Sequence, residues 1–266
     1  MPTIAANGAE LYYEVRGIGP SLLLIPGGGA DAGTIATFAD RLAQDFTVVA
    51  YDRRGLSRSP RPNDWTQTSI GEQAEDAAEL LKTLGHTPAA VVGHSLGALI
   101  ALELLLRYPD LVRRAALLDP GPIDSAIPDR RQKMALPESV RAAIARGPQA
   151  GVEALLRNLH IWDNIDSATR ERARGNAEVF FSYETPLLQT YQPDAALLSA
   201  NRVPVKVAVG TQTPPVFQEM AEWLSSTLNV RLDALPGGHA SCVEEPEGVA
   251  KVIRPFLLAE QRASVP

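Results

Sequence analysis

Six short runs rich in β-branched or aliphatic residues constrain the fold most: Ser21–Ile25, Thr47–Ala50, Ala89–Val92, Ala115–Leu118, Val205–Val209 and Val230–Leu235. Runs this short, ending near glycine or proline and lacking a regular polar alternation, predict strands covered on both faces, as in a parallel sheet. Segments with helical spacing lie between them. Ile70 to Leu84 places Ala74, Ala77, Ala78, Leu81 and Leu84 on one stripe, with Glu72, Glu75, Glu79 and Lys82 on the others. Leu96 to Tyr108 is almost apolar all round, which predicts a buried helix. Val216–Leu228 and Pro246–Leu258 are two further helices, the second with Pro246 suited to a first turn. Strand alternating with helix predicts an α/β fold with right-handed crossovers. Glu10–Val15 adds an antiparallel edge strand or a hairpin arm.

From residue 121 to 201 the rhythm breaks. Helical pieces are expected at Glu138–Arg146, Gln149–Leu159 and Ser167–Phe181, and no strand. The expected division is a core of residues 1–120 and 202–266, with residues 121–201 as a helical cap over the carboxyl edge of the sheet. The cap holds 5 of the chain's 15 aromatic residues, no more than its share, so only its position points to a ligand.

Composition narrows the functional classes. At 266 residues, roughly 73% of the extended chain's surface should be buried, enough for a core without disulfides or metal. Hydrophobic residues are 45% and charged residues 21%, which excludes a disordered or collagen-like chain. The net charge of −6 disfavours nucleic acid and anionic membrane, both of which need a basic face. A single cysteine, Cys242, makes no internal disulfide and reads as a small buried residue. The N-terminus shows no signal peptide, and the apolar stretch near Ala98 to Leu106 is too short to span a bilayer. A soluble cytoplasmic protein is the expectation, with a homodimer left open. No spacing suits a metal and no phosphate loop or dinucleotide fingerprint occurs, so no cofactor is expected.

The chemistry points to Gly93-His94-Ser95-Leu96-Gly97, which fits G-x-S-x-G between an apolar strand and a helix. A serine there sits on a tight turn beside a helix N-terminus, whose dipole and free N–H favour a developing anion. Pro26-Gly27-Gly28-Gly29 follows another strand. The N–H groups of Gly28 and Leu96 would form an oxyanion hole. A serine needs a base, and the chain has four histidines. His94 is expected to point elsewhere, His86 lies in a solvated loop and His160 in the cap. His239, in Pro236-Gly237-Gly238-His239 after the last strand, is left as the base.

Taken in order, these motifs make the chain resemble the α/β-hydrolase family along its whole length. The resemblance also rests on Tyr51-Asp52-Arg53-Arg54-Gly55-Leu56-Ser57-Arg58-Ser59 and on Arg107-Tyr108-Pro109-Asp110. It implies a mostly parallel eight-stranded sheet flanked by helices, a serine nucleophile, a histidine base and a carboxylate that orients the histidine. The family usually carries that carboxylate in a G-x-x-D motif, but here the stretch reads Gly210-Thr211-Gln212-Thr213. Threonine cannot stabilise an imidazolium by charge. Asp119, ending the strand that follows the nucleophile's, fills the vacancy; its other reading is a cap on the turn before Pro120. Asp124 is the reserve. In this the chain most resembles the fungal zearalenone lactone hydrolases, which carry a Glu at the equivalent place, one methylene longer than Asp119.

The resemblance implies hydrolysis of a small-molecule carboxylic ester, with lactone opening preferred through the shared acid position. A general carboxylesterase, a perhydrolase, a C–C bond hydrolase or a ligand-binding protein with a vestigial site stay as alternatives. Gly29, Trp162, Phe181 and Tyr183 are candidate substrate contacts, with Phe180 beside them; packing of the cap aromatics against the core is the competing reading. Asp52, Arg53 and Arg54 read as loop anchors, and Glu244 and Glu245 as the start of the last helix.

Overall fold

The computed structural model describes residues 2–123, 129 and 134–259. Eight strands form one sheet: β1 Thr3–Ala6, β2 Ala9–Arg16, β3 Ser21–Ile25, β4 Thr47–Tyr51, β5 Ala89–His94, β6 Val112–Leu118, β7 Val205–Gly210 and β8 Leu232–Leu235. Their order is β1-β2-β4-β3-β5-β6-β7-β8. The β1–β2 and β2–β4 pairs are antiparallel, and every other pair is parallel. The edge expected at Glu10–Val15 is thus a hairpin. Its first arm, β1, is only four residues long and mostly exposed or half-buried.

The apolar runs become strands because the sheet is covered on both sides. Leu23, Val49, Val91, Ala115 and Val207 face one buried layer, packed by the helices Ile70–Thr83, Leu96–Arg107 and Pro215–Thr227. Their neighbours Leu22, Val48, Val92, Ala116 and Ala208 face the other, packed by Ala36–Leu42 and Pro246–Leu258. Period-2 alternation is present, but both faces are apolar. Helix Ile70–Thr83 starts at Ser69, whose hydroxyl accepts from the Glu72 N–H. No described helix is long and apolar enough to cross a membrane.

Between β6 and β7 the described residues form helices and no strand. Helices Glu138–Ala145 and Pro148–Asn158 lie where the spacing predicts them. The helix expected over Ser167–Phe181 instead ends at Val179 and continues as a π-turn, Phe180–Glu184. Two further short helices follow, Thr185–Thr190 and Ala195–Ala200. The π-turn changes which side chains face the sheet edge, and this positions Glu184.

Candidate active site

Ser95 sits between β5 and helix Leu96–Arg107 with φ +52° and ψ −117°, a conformation costly for a side-chain-bearing residue. The turn closes only because its flanks lack side chains. A Cβ on Gly93 would lie 2.2 Å from the Gly97 carbonyl oxygen, and one on Gly97 would lie 2.3 Å from that of Ile25. The G-x-S-x-G pattern is therefore a steric requirement of this turn.

His239 reaches back from the loop after β8, placing Nε2 3.1 Å from Ser95 Oγ. Phe217 stacks on its ring at 4.0 Å, and the Gly238 N–H before it donates to Glu244 Oε2 at 3.0 Å. Glu244 thus belongs to a short helix, Ser241–Glu244, that braces this loop, and it does not begin the last helix. Behind the ring lies Asp119, fully buried and held at φ +45°. Its Oδ1 is 3.7 Å from His239 Nδ1, which has no hydrogen-bond partner among the described residues. The carboxylate is held by the Thr213 hydroxyl, donating at 2.5 Å, by the Gly210 N–H at 3.2 Å and by the Ser241 hydroxyl at 3.4 Å. Thr213 therefore touches the Asp119 carboxylate. Asp124 lies outside the described residues.

The Gly28 and Leu96 N–H groups make no hydrogen bonds among the described residues; Leu96 follows Ser95 in the chain, and Gly28 borders the same cavity as Ser95. Placed so, they can receive charge developing on a carbonyl oxygen while His239 takes the serine proton.

These groups open into a chamber of about 1360 Å³. Gly28, Gly29, Leu155, Ile161, Phe180 and Phe181 are among the residues that line it. Among the described lining residues the only Asp, Glu, Lys or Arg is Arg141, which is ion-paired with Glu138. Two expected contacts are not there. Trp162 is buried against Ile161, Ile165 and Ala240, with Arg157, Arg170 and Arg174 around its ring. Tyr183 stacks on Trp65 at 4.2 Å, outside the chamber. Both rings pack against other side chains and neither is among the chamber's lining residues; helix spacing alone does not say which face meets the cavity.

His94 also departs from expectation. It borders the chamber, and its Nε2 lies 2.5 Å from the His239 carbonyl oxygen. Burial, and then the neighbouring His239 imidazole, push its pKa down to about 4. Neutral in the fold and titrating near 6.5 when unfolded, His94 favours unfolding as the pH falls from 6.5 towards 4. Because the ring borders the chamber, the expected loss is about 1–2 kcal/mol. Urea midpoints at pH 7 and pH 4.5 should therefore differ more for wild type than for His94→Gln. Parallel losses would show that His94 does not contribute.

Cys242 is buried, and burial together with the Asp119 charge raises its thiol well above the usual range. Asp52 and Arg54 anchor loops as expected: Asp52 accepts from Arg58 and the Ala32 N–H, and Arg54 pairs with Asp76.

A family model for the alpha/beta hydrolase fold matches residues 20–246. An uncharacterized hydrolase of Bacillus subtilis is 31% identical over 242 residues, covering 89% of this chain and 88% of that protein. A zearalenone hydrolase of Cladophialophora bantiana is 29% identical over 256 residues, covering 94% and 93%. Among solved structures, a membrane phospholipase A described as a bacterial virulence factor superposes with a TM-score of 0.77. It is 25% identical, covering 96% of this chain and 84% of that one.

Proposed function

Because the chain belongs to the α/β-hydrolase family, we propose that it is a serine hydrolase of carboxylic esters, with a lactone as the preferred substrate. Residues 121–201 act as a cap over the site. Ser95 Oγ attacks the carbonyl while His239 Nε2 takes its proton. The Gly28 and Leu96 N–H groups hold the oxyanion, and Asp119 orients and charge-stabilises the imidazolium. The alcohol leaves protonated by His239, staying tethered when the substrate is a lactone. Water, deprotonated by His239, then releases the acid from Ser95.

The observation that carries this reading is the 3.1 Å Ser95–His239 contact with a buried carboxylate behind the ring. A chamber of about 1360 Å³ bordered mainly by apolar side chains suits a bulky, uncharged acyl group. The lactone preference draws on the relative named a zearalenone hydrolase. The Thr213 bond to Asp119 weighs against a vestigial binding site, since threonine there supports a carboxylate instead of leaving a gap.

The test is turnover of short and long 4-nitrophenyl esters and of zearalenone. The expected order is zearalenone first, then the long ester, then the short one. A preference for the short ester would remove the lactone reading while leaving the esterase. No turnover of any, combined with tight binding of zearalenone, would favour a binding protein.

A further inference from the structure

Three buried side chains that the proposed chemistry does not use converge on the Gly27–Gly29 loop. Arg53 Nη2–H donates to the Gly27 carbonyl at 2.6 Å. The Gly29 N–H donates to Glu184 Oε2 at 2.7 Å, and Asn176 Nδ2–H donates to the Gly29 carbonyl at 3.0 Å. Arg53 and Glu184 also pair with each other, each 1% exposed, and Arg53 takes a further bond to Gln73. Arg53 comes from the loop after β4, whereas Asn176 and Glu184 come from the helical segment between β6 and β7. Over the same loop lies the Phe180 ring, 2.7 Å from where a Gly28 Cβ would sit.

Both carbonyls of the flanking glycines and the Gly29 N–H are thus engaged, whereas the Gly28 N–H makes no hydrogen bond among the described residues. That is the state a fixed oxyanion donor requires, because a loop free to turn its amides away would lose the alignment on which such donors depend. A buried ion pair is a weak source of stability, so this one is better accounted for by what it holds. The π-turn at Phe180–Glu184 supports this, since such turns are frequent at functional sites.

Resting on the ester-hydrolase reading, we propose that Arg53 and Glu184 are positioning residues that set the oxyanion loop, with the helical segment supplying half of the device. The charges are not equivalent. Without Arg53, an unpaired carboxylate would stand 3.7 Å from the Gly28 Cβ position and oppose the developing oxyanion. Without the Glu184 charge, the loop loses its tether but gains no opposing field.

The experiment measures kcat and KM on a long 4-nitrophenyl ester, normalised to Ser95 sites titrated with a fluorophosphonate. Melting temperature is followed in parallel. Glu184→Gln should lower kcat about 10-fold and Arg53→Met about 100-fold, both with little change in KM. Replacing both, as Arg53→Met with Glu184→Leu, removes the stray charge. That protein should melt at or above the wild-type temperature, yet keep a kcat loss of about 10-fold, milder than Arg53→Met alone. A purely structural pair would instead leave the double variant with wild-type kcat, overturning the inference. Should the double variant not fold, an unchanged kcat in the isosteric Glu184→Gln overturns it alone. If wild type itself neither turns over nor is labelled, the ester-hydrolase reading fails first and takes the inference with it.

Discussion

Ser95→Ala is expected to lower kcat by about 10⁶-fold on the best ester, and His239→Ala by a similar factor. The double variant should be little worse than either. In the proposed mechanism the two side chains act as one device across a 3.1 Å contact, so removing one disables the other. Alanine keeps the Cβ and the chirality of serine, and Gly93 and Gly97 still give the turn its space. The fold is therefore preserved, and the loss reads chemistry. A residual rate above that of free solution should persist, since the Gly28 and Leu96 N–H groups and the chamber still bind the ester. Steady-state kinetics with a fluorophosphonate label on wild type but not on Ser95→Ala is the check. More than a tenth of the activity retained in Ser95→Ala would mean that another group attacks the carbonyl.

The parts of this site that were legible in the sequence are those fixed by local backbone. Gly93, Ser95 and Gly97 are dictated by a turn that leaves no room for side chains, so strand, serine and helix can be read from a dozen consecutive residues. The strands were legible because burial on both faces leaves short apolar runs. Helix Ala36–Leu42 is not legible in the sequence because it is seven residues long and its N-cap, Ile35, offers no side-chain cap. The faces met by Trp162 and Tyr183 are not legible for a different reason. Either aromatic could face chamber or core; Trp162 sits in a separate short turn, Trp162–Asn164, and only Tyr183 lies in the π-turn that shifts the register after Val179. The Arg53–Glu184 pair joins residues 131 apart in sequence, and no local pattern announces such a contact. Asp119 is legible from its place at a strand end, from the missing acid at Thr213 and from the resemblance, whereas the Thr213 bond to its carboxylate joins residues 94 apart that no local pattern links.

That pairing gives the second large effect: Asp119→Asn should lower kcat by about 10³–10⁴-fold, while Thr213→Ala should cost about 10-fold or less. Asparagine is the informative substitute. Asp119 sits at φ +45°, a region that asparagine tolerates and most other residues do not, so the change removes charge without straining the backbone. An amide there cannot stabilise the imidazolium formed when His239 takes the Ser95 proton. Thr213 has a smaller part. Its hydroxyl holds Oδ1, the same oxygen that stands 3.7 Å from His239 Nδ1. Closing that distance to a hydrogen bond needs a shift of roughly 1 Å, and Thr213 with Gly210 and Ser241 limits where the carboxylate can go. Thr213→Ala should therefore change alignment rather than charge, and Thr213→Ser should restore most of the rate. The ratio between the two positions is decisive. If Thr213→Ala were as damaging as Asp119→Asn, the hydroxyl would be the group that orients His239. If Asp119→Asn lost less than 10-fold, the carboxylate would be a strand-end cap, and the acid would have to come from elsewhere.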